Sequence, residues 1–147
     1  MPHASSTVVI DRPIAEVFAF LADAENDLRW RSGIREMSHA GGGPGVGTRY
    51  RQRVAGPAGR SIPADIEVTA FDPPTRLAFA GTAGPVRPVG EYRLTERDGG
   101  TEVVFTIAAE LGALPRLLMG RRIQETMTSE VGALRTLKTV LEHPTAP

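Results

Sequence analysis

The chain contains no cysteine, and this absence excludes several kinds of chemistry. Disulfide bonds, thiol nucleophiles and thiolate metal sites all require cysteine. No apolar run approaches the roughly 18 residues needed to cross a bilayer, so membrane insertion is not expected. Seventeen basic and seventeen acidic residues give a net charge of zero, which removes the long-range attraction typical of nucleic-acid binders. The sequence therefore predicts neither a membrane nor a nucleic-acid partner.

Motifs for metal, cofactor and nucleophilic chemistry are also missing. His3, His39 and His143 are scattered along the chain, so no metal and no cofactor are predicted. The glycine cluster at 41–47 lacks the Lys-Ser/Thr of a phosphate loop, and no Gly-x-Ser-x-Gly occurs. The first residues lack the charged start and apolar core of a signal peptide, so a cytoplasmic location is expected.

Local periodicity predicts a strand and a short helix near the start. Residues 5–10 alternate in polarity, as in a strand. Pro13 suits the first position of a helix, and apolar residues follow at helical spacing. These are Ile14, Val17, Phe18 and Leu21. A further helical turn is predicted over residues 25–29.

The middle of the chain is predicted to consist of strands and turns. The strands are predicted over residues 34–39, 48–55, 62–70, 76–81, 89–96 and 101–107. Asp98-Gly99-Gly100 predicts a tight hairpin turn before the last of them. Asp65 and Glu67 resemble a catalytic carboxylate pair, but they share the face predicted to lie outside, where Arg51 and Arg53 would be their partners. A register slip would reverse that prediction.

One long amphipathic stretch follows, running from Gly112 to near Glu142. Its apolar residues recur at steps of three to five, the period of a helix with one apolar face. They are Leu114, Leu118, Ile123, Met127, Val131, Leu134, Leu137 and Leu141. A bent antiparallel sheet closed by such a helix leaves an internal hollow, and hollows of this kind bind apolar molecules.

The order and spacing of several segments carry a family resemblance. The segments are Val9 to Asp23, Trp30 with Gly33-Ile34, Gly45 to Tyr50, Asp72 to Leu77, Gly90 to Leu94, Gly100-Thr101 and Ala133 to Lys138. Together they resemble the START-related, Bet v 1-like (SRPBCC) superfamily, in its bacterial polyketide cyclase/dehydrase and lipid-transport-like branch. The resemblance covers nearly the whole chain.

The resemblance implies an α+β helix-grip fold. In this fold a curved antiparallel sheet of about seven strands wraps around a long C-terminal helix, and one or two short helices follow the first strand. We expect a single domain over residues 1–147, with residues 143–147 as a disordered tail. In the family the glycine-rich loop at 41–47 often gates entry to the cavity.

Polar side chains on predicted inward faces are the candidate catalytic residues: Tyr50, Gln52 and Tyr92. A buried phenol or amide needs a hydrogen-bond partner, and inside a hollow that partner is often ligand or water. Apolar and polarizable walls would come from Trp30, Phe79, Phe105, Met119, Ile123 and Met127. Such a pocket suits an oxygenated polycyclic or lipid-like ligand. His39 is a minor candidate acid or base at the cavity rim, and Arg121 a minor candidate for holding an anionic group.

Three classes of function stay open at this point. The first is a non-catalytic carrier or sensor of a hydrophobic small molecule. The second is an enzyme that promotes cyclisation or dehydration of a polyketide-like chain, with Tyr50 and Tyr92 stabilising an enolate and Gln52 orienting a carbonyl. The third is an interaction domain like the Hsp90-activator branch of the superfamily. Homodimerisation through an edge strand or the long helix is also open.

Overall fold

The computed structural model of the protein describes residues 3–55, 57–82, 87–110, 128 and 132–143. The strands are β1 (His3–Ile10), β2 (Ile34–Gly41), β3 (Arg49–Ala55), β4 (Ser61–Pro63), β5 (Ile66–Asp72), β6 (Arg76–Gly81), β7 (Arg87–Arg97) and β8 (Gly100–Glu110). The helices are α1 (Ile14–Ala22) and α2 (Leu134–Glu142), and 3₁₀ segments cover Ala24–Arg29 and Pro57–Gly59.

The strands form one antiparallel sheet that curls into a half-barrel. Its order is β1-β8-β7-β6-β5-β3-β2, and the short β4 pairs with β3. Helix α1 packs on β6, β7 and β8, whereas α2 packs on β1. This is the helix-grip architecture, so the predicted fold class is confirmed.

Alternation of side chains sets the two faces of the sheet. In β7, Gly90, Tyr92 and Leu94 are buried while Arg93 and Thr95 are exposed. Successive side chains of a strand point to opposite faces, so the buried set forms part of the inner surface. The turn between β7 and β8 is a tight hairpin turn, as predicted. Its loop has two residues, since Asp98 and Gly99 both have positive φ and Arg97 pairs with Gly100.

The strand predicted over residues 62–70 is interrupted. Pro63 ends β4, and the sheet pairing resumes at Ile66, the first residue of β5. Between them, the Ala64 N–H donates to the Gln52 carbonyl and the Asp65 carboxylate accepts the Gln52 backbone N–H at 3.1 Å. Hydrogen bonds to Gln52 thus hold Ala64 and Asp65 where regular pairing is interrupted, and the interruption directly follows Pro63, which has no N–H to donate. In register, Glu67 lies opposite Arg49 rather than Arg51 or Arg53.

The described part of the C-terminal helix, α2, buries Leu134, Leu137 and Leu141 as its periodicity predicts. The earlier turns of the predicted long helix lie outside the described residues, apart from Thr128. The end of α2 is bonded to the segment that precedes α1. Arg12 donates from Nε to the Leu141 carbonyl and from Nη2 to the Glu142 carbonyl, both at 3.0 Å. A cation at this position also interacts favourably with the helix dipole.

Candidate ligand-binding site

Four aromatic side chains cluster on the inner face of the sheet. The Tyr92 ring stacks on Phe105 with centroids 4.5 Å apart. Trp30 meets both rings edge-on, at 6.3 Å from Tyr92 and 6.2 Å from Phe105, and Phe79 lies 6.3 Å from Tyr92. All four are buried. The structure thus brings together three of the six predicted wall residues and one of the three predicted catalytic residues.

Strand register explains this cluster. Tyr92 of β7 pairs with Phe105 of β8, so two inward side chains meet directly across the ladder. Phe79 of β6 pairs with Gly90, and a Cβ at position 90 would overlap the Phe79 ring. Gly90 therefore makes the space in which the Phe79 ring lies. We call Trp30, Phe79, Tyr92 and Phe105 the aromatic cluster.

Two buried polar atoms near this inner face have no hydrogen-bond partner in the described part of the chain. They are Trp30 Nε1, a donor, and Gln52 Oε1, an acceptor. Trp30 is 3% exposed and Gln52 is 1% exposed. Buried polar atoms are nearly always paired, so these two mark positions where a guest or water molecule can bond.

Tyr50 is buried as predicted, but its hydroxyl is engaged elsewhere. It donates a long hydrogen bond of 3.4 Å to the carbonyl of Ala22, the last residue of α1. Burial raises the pKa of Tyr50, although a backbone hydrogen bond from Ala24 partly opposes this. The phenol therefore keeps its proton at neutral pH and acts as a donor, not as a base.

The two candidate phenols lie on different parts of the sheet. Strand β3, which carries Tyr50 and Gln52, is three strand steps from β7, which carries Tyr92. Three steps correspond to roughly 14 Å measured along the sheet. No ring contact or hydrogen bond joins Tyr50 to Tyr92 among the described residues. The catalytic roles of Tyr50, Gln52 and Tyr92 stay predictions.

His39 lies at the base of the glycine-rich loop and is exposed. Its Nε2 is 2.7 Å from the Gly42 carbonyl, and its backbone N–H donates to Glu25. The ring also stands edge-on to Tyr50 at 5.8 Å. The sequence revealed no such orienting partner, and the loop's gating role stays a prediction.

An ion pair that sequence reasoning missed lies beside the aromatic cluster. Arg31 Nη1 is 2.8 Å from Asp27 Oδ2, and both side chains are at most 5% exposed. The Arg31 guanidinium also lies 6.0 Å from the Trp30 ring centre. The separation of four residues was the available signal, since it places both side chains on one side of a helical turn. Asp27 thus carries a buried carboxylate, and the sequence did not predict its burial.

Trp30 also borders a groove at the surface. The groove has a volume of about 410 Å³ and lies between the 3₁₀ segment Ala24–Arg29 and the start of α2. Its other lining residues are Leu28, Arg29, Ser32, Gly132, Ala133 and Thr136. Trp30 is the chain's single tryptophan, so its fluorescence reports on both the groove and the aromatic cluster.

The remaining predicted wall residues, Met119, Ile123 and Met127, lie outside the described residues, as does Arg121. Within the described ranges, no group of three or more metal-ligating side chains occurs. No helix in those ranges is long and apolar enough to cross a membrane.

Solved structures share this fold at low sequence identity. A Thermus thermophilus protein is 21% identical with a TM-score of 0.82, covering 99% of this chain and 100% of its own. The Streptomyces aromatase/cyclase Zhui is 19% identical with a TM-score of 0.76, and the match covers 98% of this chain and 96% of Zhui. A START superfamily protein from Mycobacterium smegmatis is 15% identical with a TM-score of 0.75, and the match covers 97% of this chain and 99% of that protein.

Among curated proteins, none matches the sequence. Residues 1–142, nearly the whole chain, match the family described as polyketide cyclase / dehydrase and lipid transport. Together with the half-barrel sheet and its C-terminal helix, this match confirms the resemblance stated from the sequence. The chain belongs to the polyketide cyclase/dehydrase and lipid-transport family and has its START-like ligand-binding fold.

Proposed function

We propose that the protein binds a hydrophobic small molecule of the polyketide or lipid type, bearing oxygen substituents, on the concave face of the sheet. The observation that carries the proposal is the pair of unpaired buried atoms, Trp30 Nε1 and Gln52 Oε1. Leaving a buried donor or acceptor unpaired costs about 1–3 kcal/mol. A ligand with oxygen atoms in the matching positions would remove that cost on binding.

The aromatic cluster supports a flat or polycyclic ligand. Trp30, Phe79, Tyr92 and Phe105 present ring faces and edges close together. Aromatic pairs add about 0.5–1.5 kcal/mol beyond the area they bury, so a ring-containing guest gains from each contact. Uniformly aliphatic walls would not give this preference.

Cyclisation or dehydration of the bound molecule is a finer part of the proposal. The family description includes both cyclases and lipid carriers, so family membership supports either role. Tyr92 and Gln52 are the proposed polar contacts, and Tyr50 joins them where its hydroxyl exchanges the long bond to the Ala22 carbonyl for one to the ligand. A cytoplasmic location stays a prediction, and neither homodimerisation nor an Hsp90-activator-like role is part of the proposal.

Native mass spectrometry of the protein purified from its own host tests for a retained small molecule. A direct test in vitro is titration with anthraquinone, a flat three-ring ketone, followed by quenching of Trp30 fluorescence. We expect saturable quenching by the wild-type protein. Removing one aromatic contact with Phe79→Leu should weaken binding about 2–10-fold.

A matched control is Thr69→Ala, because Thr69 lies on the exposed side of β5. It should leave the titration unchanged. Linear, non-saturable quenching by the wild-type protein, equal in all variants, would mean that the probe meets Trp30 only by collision and that the proposed site does not bind it.

A further inference from the structure

We infer that Gln52 selects ligands that carry a hydrogen-bond donor, such as a phenolic or enolic hydroxyl, at the β3 side of the concave face. This inference rests on the proposed function, because it concerns the same ligand and the same face. It reverses the chemistry predicted from the sequence, in which Gln52 orients a carbonyl of the ligand.

The Gln52 side chain is held in one orientation. Its Nε2 donates to the Ala64 carbonyl at 2.8 Å. The backbone around it is fixed as well, since the Gln52 N–H donates to Asp65 and the Ala64 N–H donates to the Gln52 carbonyl. A flipped amide would place Oε1 against the Ala64 carbonyl, so that two acceptors would face each other. The hydrogen bond to Ala64 therefore determines which end of the amide is the nitrogen.

With the nitrogen bonded to Ala64, Oε1 occupies the opposite corner of the amide. It is buried and has no hydrogen-bond partner in the described residues. The neighbouring inward residues offer little polarity: Met37 pairs with Gln52 across the ladder, and Ile66 pairs with Tyr50. The Tyr50 hydroxyl is directed to Ala22. An acceptor buried in such surroundings is available to a donor on the ligand.

A buried acceptor discriminates more strongly than an apolar wall. A site built to bond a hydroxyl rejects the analogue without it, because the protein group then stays unpaired. Trp30 Nε1 has the opposite polarity, since an indole can only donate. Gln52 Oε1 thus favours a donor on the ligand at the β3 side of the concave face, whereas Trp30 Nε1 favours an acceptor beside the aromatic cluster, and an aromatic hydroxy-ketone carries both kinds of group.

Three probes with one ring system test the inference: anthraquinone, 2-hydroxyanthraquinone and 2-methoxyanthraquinone. All three carry carbonyl acceptors, and only the hydroxyl adds a donor. Titrations followed by Trp30 fluorescence should be run at mildly acidic pH, where that hydroxyl keeps its proton. We expect the wild-type protein to bind the hydroxy compound about tenfold more tightly than the other two, as one net hydrogen bond allows.

Gln52→Leu removes the acceptor, because it replaces the amide by an apolar side chain of similar size. In this variant the hydroxy preference should fall to about one, while binding of unsubstituted anthraquinone is retained. Gln52→Met serves the same purpose if the leucine variant does not fold. Met37→Leu is the matched control, because it changes a neighbouring buried side chain without changing any hydrogen-bonding group. Its hydroxy preference should equal that of the wild type.

The outcomes separate the two proposals. If the wild-type protein binds the three probes equally, or if the hydroxy preference survives removal of the Gln52 amide, the inference is wrong and the proposed function stands. If none of the probes binds the wild-type protein, both are contradicted. Loss of the preference in Met37→Leu as well would assign it to packing and would also overturn the role of Gln52.

Discussion

The glycine at position 90 allows a sharp test of the aromatic cluster through the substitution Gly90→Ala. Gly90 is a buried residue in the interior of β7, and it pairs with Phe79 of β6. An added Cβ would overlap the Cζ, Cε1 and Cε2 atoms at the far end of the Phe79 ring. The ring would have to move, and it lies against Tyr92.

Two opposing effects determine the sign of the change in stability. Replacing a strand glycine by alanine stabilises by about 0.5–1 kcal/mol, because the unfolded chain has less freedom to lose. Forcing a methyl group into space that a buried ring occupies costs about 1–3 kcal/mol. We expect the second effect to dominate, with a net loss of about 1 kcal/mol. In the Phe79→Leu background the overlapping ring atoms are gone, so the same substitution should instead stabilise by about 0.5 kcal/mol.

The measurement is urea unfolding of the wild type, both single variants and the double variant. With a slope of about 2 kcal/mol per molar urea, the midpoint should fall by roughly 0.5 M for Gly90→Ala alone. The double-mutant cycle should give a coupling of about 1.5 kcal/mol. An equal effect of Gly90→Ala in both backgrounds would refute the reasoning, since the cost would then not come from the Phe79 ring.

Three further predictions concern charged groups. Arg12→Ala removes two hydrogen bonds to the end of α2, so it should lower the free energy of unfolding by about 2 kcal/mol in urea unfolding. Arg12→Lys should lower it by less, and equal losses in the two variants would exclude a role for the guanidinium geometry. A hydrogen bond from Lys138 lowers the pKa of Glu142 from its ordinary 4.5. The ionised Glu142 carboxylate therefore stabilises the fold above pH 4.5, and this stabilisation is lost as the pH falls through the lowered pKa. The stability gap to Glu142→Gln should therefore shrink below pH 4.5, and a gap that widens in acid would contradict this sign. Asp27→Asn should destabilise by about 3 kcal/mol because it removes a carboxylate from the buried Arg31, and thermal unfolding that is unchanged would show that the pair contributes little.

Much of the inner face could be predicted from the sequence, because strand alternation is a local signal. Period-two patterns predict that Tyr50, Gln52 and Tyr92 face inward, and all three are buried. The Asp98-Gly99 turn was predictable for the same reason, since positive φ at both positions favours these residues.

Features that depend on tertiary position were not predictable. Asp27 and Arg31 are charged residues in a short turn, and such residues are usually exposed. They are buried here because the 3₁₀ segment packs against β2 and α1, and Arg31 lies beside the Trp30 ring. The break at Pro63 was likewise hidden by an apolar pattern that continues through Ile62, Ala64 and Ile66. The partners of the Tyr50 and Gln52 side chains lie elsewhere in the chain, so no local pattern reveals them.

Those partners bear on the choice between carrier and enzyme. An enolate is stabilised by donors that converge on one oxygen. The Tyr50 hydroxyl instead bonds to Ala22, and the unpaired atoms are one donor, on Trp30, and one acceptor, on Gln52. A buried acceptor repels a developing anion, whereas it binds a neutral hydroxyl well. The groups on Tyr50, Trp30 and Gln52 therefore fit a neutral hydroxy-ketone better than an enolate, which favours the carrier or sensor part of the proposal over the cyclisation part.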